Sequence, residues 1–218
     1  MTVRQTLTDK AYIQLEEMIV TLQLAPGQVL SESELGQQLD IGRTPIREAL
    51  QRLAREGLVT ILPRKGILVT EINPSKQLLL LEVRRELERL MARTAAARST
   101  EQERKAFRRI AKGMRQAASK RDEMKFIRFD NELNELVAQA SHNEYASRAI
   151  MAMQGLSRRF WYLHYKQAGD MPLMAALHAE LAEKIADGDA SGAAKASDHL
   201  VDYVENFTRL TIDPAIAV

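Results

Sequence analysis

The sequence has no cysteine among its 218 residues. That excludes a disulfide framework and any metal site built on thiolates, and it suits a reducing compartment such as the cytoplasm. The opening stretch, MTVRQTLTDK, lacks the apolar segment that marks a secretory signal. Apolar runs are short: Leu78–Leu81 falls far below the roughly 20 residues a bilayer-spanning helix needs, so no membrane partner is expected. Repeats and low-complexity tracts are missing, as is any catalytic nucleophile motif. Net charge is also scarce, at +2 for the whole chain, and by itself says little about nucleic acid. With 45% hydrophobic residues the chain can still bury one large or two modest cores.

What is present concentrates between Ser31 and Val69. Ser31 and Glu34 have the spacing of a capping box, which opens a short helix with Leu35 and Leu39 on one face. Asp40-Ile41-Gly42 breaks it. Thr44 then reads as an N-cap with Pro45 at the first helical position, where a missing N–H costs nothing. Ile46, Ala49, Leu50 and Leu53 recur at helical spacing, and Gly57 is a natural stop. A β-prone run from Leu58 to Leu62, the turn Pro63–Gly66 and a return from Ile67 to Val69 predict a two-stranded wing. Between Arg43 and Gly66 lie six basic residues (Arg43, Arg47, Arg52, Arg55, Arg64, Lys65) and two acidic ones (Glu48, Glu56), a local excess of four on a nearly neutral chain. A basic second helix followed by a basic β-turn fits a helix reading the major groove with a wing on the backbone or minor groove. Upstream, a supporting helix is expected from Asp9 until Pro26-Gly27.

The segment LAPGQVLSESELGQQLDIGRTPIREALQRLAREGLV resembles the winged helix-turn-helix of the GntR family of bacterial transcription regulators. The Leu-x-Pro-Gly, Ser-Glu-x-x-Leu, Arg-Thr-Pro-x-Arg-Glu-Ala-Leu and Glu-Gly-Leu-Val pieces carry the match. Asp40 stands where Gly is usual, a position Asp fills in the left-handed conformation. Gly42 stands where Ser or Thr is usual. The resemblance implies DNA contacts from Arg43, Thr44 and Arg47 and a minor-groove approach by Gly66. The basic residues Arg52 and Lys65 join them as candidate DNA-binding residues.

Asn73-Pro74 marks a boundary, giving a DNA-binding domain over 1–72 and a second domain over 73–218. Beyond it the pattern predicts helices only: about Ser75–Arg98, a Thr100/Glu103-capped helix to about Ser119, Asp122–Ala140, Glu144–Gln167, a helix after Gly169 and Pro172 to Asp187, and Ser191–Leu210. The fold class is therefore mainly α, a winged helix-turn-helix plus a bundle of about six helices. A helical wheel puts Asp130 inside an apolar arc with Asn134 at its margin, His178 in the middle of another apolar face, and His199 at the edge of a third. One carboxylate, one amide and two imidazoles from three helices suit a divalent transition metal with open positions, Zn²⁺, Ni²⁺ or Mn²⁺; the same residues also suit paired core polar groups.

Residues 75–210 resemble the all-helical FCD effector domain of the FadR subfamily, through LLEVRRELERLMARTAA, FDNELNELVAQASHN and LHAELAEKIADGDASGAAKASDHL. Family members that bind a metal show Asp-x-x-x-His and two later His; Asp130, His178 and His199 match, and Asn134 replaces the first His. The resemblance implies a small organic acid as effector, with Arg84 near the pocket as a carboxylate clamp. Tyr162, in the aromatic patch Trp161–Tyr165, is a second candidate lining residue. The expectation is a homodimeric, ligand-responsive regulator, a repressor by family frequency, on a palindromic DNA operator, and not an enzyme. The alternatives are a metal-dependent enzyme using the Asp/His cluster and an effector-independent DNA-binding protein.

Overall fold

The structure is a computed structural model that describes residues 5–168 and 170–212, with the side chains of 166–168 left undescribed. Gly169, expected to break the chain before Pro172, lies outside the described residues. Among those described, the chain runs α1 (Leu7–Val20), β1 (Val29–Leu30), α2 (Glu32–Leu39), α3 (Arg43–Arg55), β2 (Val59–Leu62), β3 (Gly66–Val69), then α4 (Pro74–Arg98), α5 (Glu101–Ser119), α6 (Glu123–Ala140), α7 (Glu144–Ala168), α8 (Met171–Ala186) and α9 (Ala190–Ile212). It divides into two compact units. Of the described residues, the first holds 5–73 together with 155–163 of α7; the second holds 74–154 together with 164–168 and 170–212.

In the first unit, α1 packs on α3, and Leu15, Ile19, Ile46, Leu50, Leu53, Leu58 and Val69 close its core. α1 starts at Leu7, two residues before the expected Asp9, because Thr6 and Asp9 form a capping box. Asp40 ends α2 at φ 51°, the left-handed turn anticipated for it. Two local expectations change. Ser31 stands at the N-cap of α2, but its hydroxyl makes no capping bond, so no box with the exposed Glu34 forms. α3 begins at Arg43 behind an extended Gly42, which puts Thr44 and Pro45 in the first turn rather than at its cap. Pro45 fits there too, since the first four N–H groups of a helix lack internal partners.

The wing has three strands, not two. β3 lies between β1 and β2, antiparallel to both, with Leu30 opposite Ile67 and Leu62 opposite Gly66. Gly66 is required by this arrangement: its φ is +106°, and a Cβ there would stand 2.8 Å from the Leu30 carbonyl oxygen. The nine residues 155–163 of α7 complete the unit. The Arg159 guanidinium donates to the Thr70 carbonyl at 2.9 Å and to the Thr70 hydroxyl at 3.0 Å. Arg158 pairs with the buried Glu16 of α1, and Leu156 packs against the core.

In the second unit α4 packs along α9, and α5 packs along both α8 and α6. The Thr100/Glu103 capping box forms as its spacing predicts. Arg104 joins two helix ends, donating to Ala96 O at 3.0 Å at the end of α4 and to Ala186 O at 2.9 Å at the end of α8.

Candidate functional site

The exposed face at the start of α3 is built from the turn upward. Ile41, Ile46, Ala49 and Leu50 are buried, which leaves Arg43, Thr44 and Arg47 turned outward. At about 100° per residue, Arg47 lies roughly 40° round the helix from Arg43. Arg47 donates from Nε (3.0 and 3.2 Å) and Nη2 (2.8 Å) to the Glu32 carboxylate of α2. Lys65 is exposed in the β2–β3 turn, where Arg64 takes a φ of 64°.

Arg52 is placed differently from the rest of the candidate set. It lies roughly 140° from Arg47 round the helix, on another face. Its guanidinium sits 3.6 Å over the Tyr12 ring and bonds Glu56 at 3.2 Å. It clamps α1 to α3 instead of facing outward beside Arg43.

The second unit holds two polar pairs drawn from three helices. The two carrying Asp130 and His178 are α6 and α8; both residues are buried, and their Oδ1 and Nε2 stand 2.9 Å apart. His178 Nδ1 is 2.8 Å from the Met174 carbonyl oxygen, which can only accept, so Nδ1 carries a proton. Burial disfavours a charge on His178. The Asp130 hydrogen bond and charge, the Met174 carbonyl and the Glu88 charge outweigh it and hold the imidazole pKa above its ordinary value. On α4, Arg84 Nε donates to Glu88 Oε1 at 2.7 Å, and the two side chains are only 11% and 15% exposed.

The fit to a metal ion can be tested on this pair. Ligand atoms about 2.1 Å from an octahedral ion lie about 3.0 Å apart in adjacent positions. The Asp130–His178 spacing, which is also that of a hydrogen bond from Nε2–H to the carboxylate, matches; the Met174 carbonyl keeps the proton on Nδ1, so loss of the Nε2 proton would free that nitrogen to coordinate. The other two candidates are not drawn in to the same degree. Asn134 is half-buried one turn along α6, and His199 is exposed on α9. Among the described residues no group of three or more His, Cys, Asp or Glu is placed to hold a metal ion. Tyr162 falls in 155–163, the stretch that clusters with the first unit.

Two family models match the chain. "Bacterial regulatory proteins, gntR family" covers residues 7–69, and "FCD domain" covers residues 79–203. The chain is a GntR-family transcriptional regulator with an FCD domain. Such GntR/FCD proteins are regulators of transcription rather than enzymes. Over 208 residues, 94% of this chain and 91% of the relative, it is 26% identical to the HTH-type transcriptional repressor RspR of Escherichia coli K12. A regulator in an unstable DNA locus of Streptomyces ambofaciens is 46% identical over 65 residues, a match that spans 28% of that relative's length. The fold matches that of E. coli McbR/YncC, with a TM-score of 0.79, 19% identity and coverage of 95% and 99% of the two chains. A GntR regulator of Rhodococcus sp. RHA1 follows at TM-score 0.62, 20% identity and coverage of 94% and 97%. No helix among the described residues of this GntR regulator is long and apolar enough to cross a membrane.

Sequence reasoning missed Glu32 as the partner of Arg47 and Glu88 as a neighbour of His178. Glu88 is one turn along from Arg84, which was legible; the influence of its charge on His178 depends on how α4 meets α8, which no single helix encodes.

Proposed function

We propose that the protein is a homodimeric, cytoplasmic repressor that reads a palindromic operator and releases it when a small organic acid binds its helical domain. The DNA side rests on the outward face of Arg43, Thr44 and Arg47 at the start of α3, with Lys65 and Gly66 in the wing turn. The similarity to RspR, a transcriptional repressor, supports the sign of the response.

On the effector side, the observation that carries the reading is the buried Asp130–His178 pair, with the partly buried Arg84–Glu88 pair in the same unit. A buried charged pair is costly unless its partners compensate it, which marks the site as a candidate for function. Asp130 and His178 would hold a divalent metal, Zn²⁺, Ni²⁺ or Mn²⁺, with Asn134 and His199 as the remaining donors. A metal held there would offer open positions to a carboxylate. Arg84 orients the acid by its guanidinium fork, in competition with Glu88, which now occupies it. The effector controls DNA binding to the extent that it binds one arrangement of the protein better than the other.

Selection of duplexes from a random library by the purified protein tests this. Enriched sequences should contain two half-sites about 10 base pairs apart, as a two-fold dimer requires. Arg47→Ala should lose the preference for the selected duplex over a scrambled one by about tenfold. A mixture of carboxylic acids should release the duplex from wild type but not from Arg84→Met. Enrichment of no sequence would leave an effector-independent DNA binder.

A further inference from the structure

Glu32 is the first residue of α2, and its contact with Arg47 has a definite geometry. Arg47 is 60% exposed and Glu32 30% exposed, so the pair adds little to stability. What it fixes is direction. A guanidinium presents two donor forks: one from Nε–H and the near Nη hydrogen, the other from the two outer Nη hydrogens. The Nε and Nη2 bonds to Glu32 fill the first fork. The second fork remains. Guanine offers O6 and N7 side by side in the major groove, the acceptor pair such a fork matches. The Arg47 hydrogen bond, against a smaller cost of burial and with help from the charges of Arg47 and Arg43, keeps the Glu32 carboxyl below its usual range, so it is ionised at neutral pH. Arg43 stands alongside, its Nη2 3.5 Å from the Ser33 hydroxyl.

We infer that Glu32 is a positioning residue for base reading: it holds the Arg47 guanidinium so that its outer fork meets O6 and N7 of one guanine in each half-site. The inference rests on Arg47 as a base-reading residue. Glu32 also places a negative charge at the DNA-facing surface, where phosphates repel it. It therefore weakens binding to unrelated sequence while sharpening the choice of the right one.

The test uses the full-length protein, a duplex selected by wild type, the same duplex with each guanine in turn replaced by 7-deazaguanine, and a scrambled duplex. For wild type, one guanine per half-site should show a loss of about tenfold on replacement. Arg47→Ala should abolish that sensitivity. Glu32→Ala should bind the selected duplex more weakly, reduce the penalty at that guanine below about threefold, and bind the scrambled duplex as well as wild type or better. Glu32→Gln, which keeps one acceptor, should fall between. Thermal melts of each variant confirm an intact fold. Glu32→Ala with the full penalty at that guanine overturns the inference while leaving Arg47 as a reader. So does an equal loss on selected and scrambled duplexes, which is a general effect. An Arg47→Ala variant that keeps the penalty overturns the base-reading role itself, and the inference with it.

Discussion

Tyr12 carries three interactions at once. Its hydroxyl donates to Glu56 at 2.8 Å, the Arg52 guanidinium covers its ring, and its side chain packs against the core of the first unit. Burial, then the Glu56 charge and hydrogen bond, push its pKa well above the ordinary 10.0. Below pH 10 both folded and unfolded states keep the proton and the contribution is complete. Above it the unfolded chain releases the proton first, so stability falls as pH rises. Urea melts from pH 8 to 11 should show this decline in wild type, and the Tyr12→Phe variant should show less of it, the remainder falling to Tyr203, whose hydroxyl pKa burial also raises. Gly66 offers a second residue-scale test. An alanine there must hold a φ of +106° with its Cβ against the Leu30 carbonyl. Gly66→Ala should cost about 1–3 kcal/mol, read as a lower urea midpoint at unchanged slope. The sequence made Gly66 legible as a turn glycine. It could not show β1, because a two-residue strand has no periodicity of its own and exists only through its pairing with β3. Arg52 misled for a related reason: its charge is visible in the sequence, but its partner Tyr12 lies forty residues away on another helix.

At the scale of elements, helix existence was legible almost everywhere, since stripes, caps and Pro/Gly breaks are local. The Thr100/Glu103 box and the Asp40 turn stand where their residues put them. How the helices meet was not legible, and the clearest case is Arg104. Its guanidinium satisfies carbonyls at the ends of α4 and α8, which carry partial negative charge and lack internal partners. Arg104→Ala should destabilise the protein by about 2–3 kcal/mol, the loss expected for hydrogen bonds from a charged donor. Arg104→Lys should recover only part, because an ammonium cannot span both ends as the planar fork does. Equal melting of Arg104→Ala and wild type would show that water replaces the guanidinium without loss. The same distinction governs the bundle site. The wheel placed Asp130 and His178 on apolar faces, and both are buried and in contact. For His199 the wheel gave only a margin, and the residue lies exposed.

At the scale of the whole molecule, the proposed metal would act as a ligand of the native state. A metal at about a hundred times its dissociation constant adds about 2.7 kcal/mol. In a chain of this length that raises the melting temperature by about 5–10 °C. Chelation should remove this increment from wild type and leave His178→Ala unchanged. A wild-type melting point indifferent to both chelator and added Zn²⁺, Ni²⁺ or Mn²⁺ would reduce the Asp130–His178 pair to a core ion pair. The effector would then be sought among acids held by Arg84 and apolar contacts alone.

The stretch 155–163 of α7 also bears on how the protein is made. The first unit contains residues that leave the ribosome about ninety positions after residue 73. Arg158, the partner of the buried Glu16, and Arg159, the donor to Thr70, are among them. At about 5–20 residues per second, the N-terminal unit waits on the order of 5–20 s for its last piece. During that interval Glu16 has no Arg158 to pair with. The DNA-reading unit comes first in the gene, yet most of the helical unit has left the ribosome before its last piece arrives.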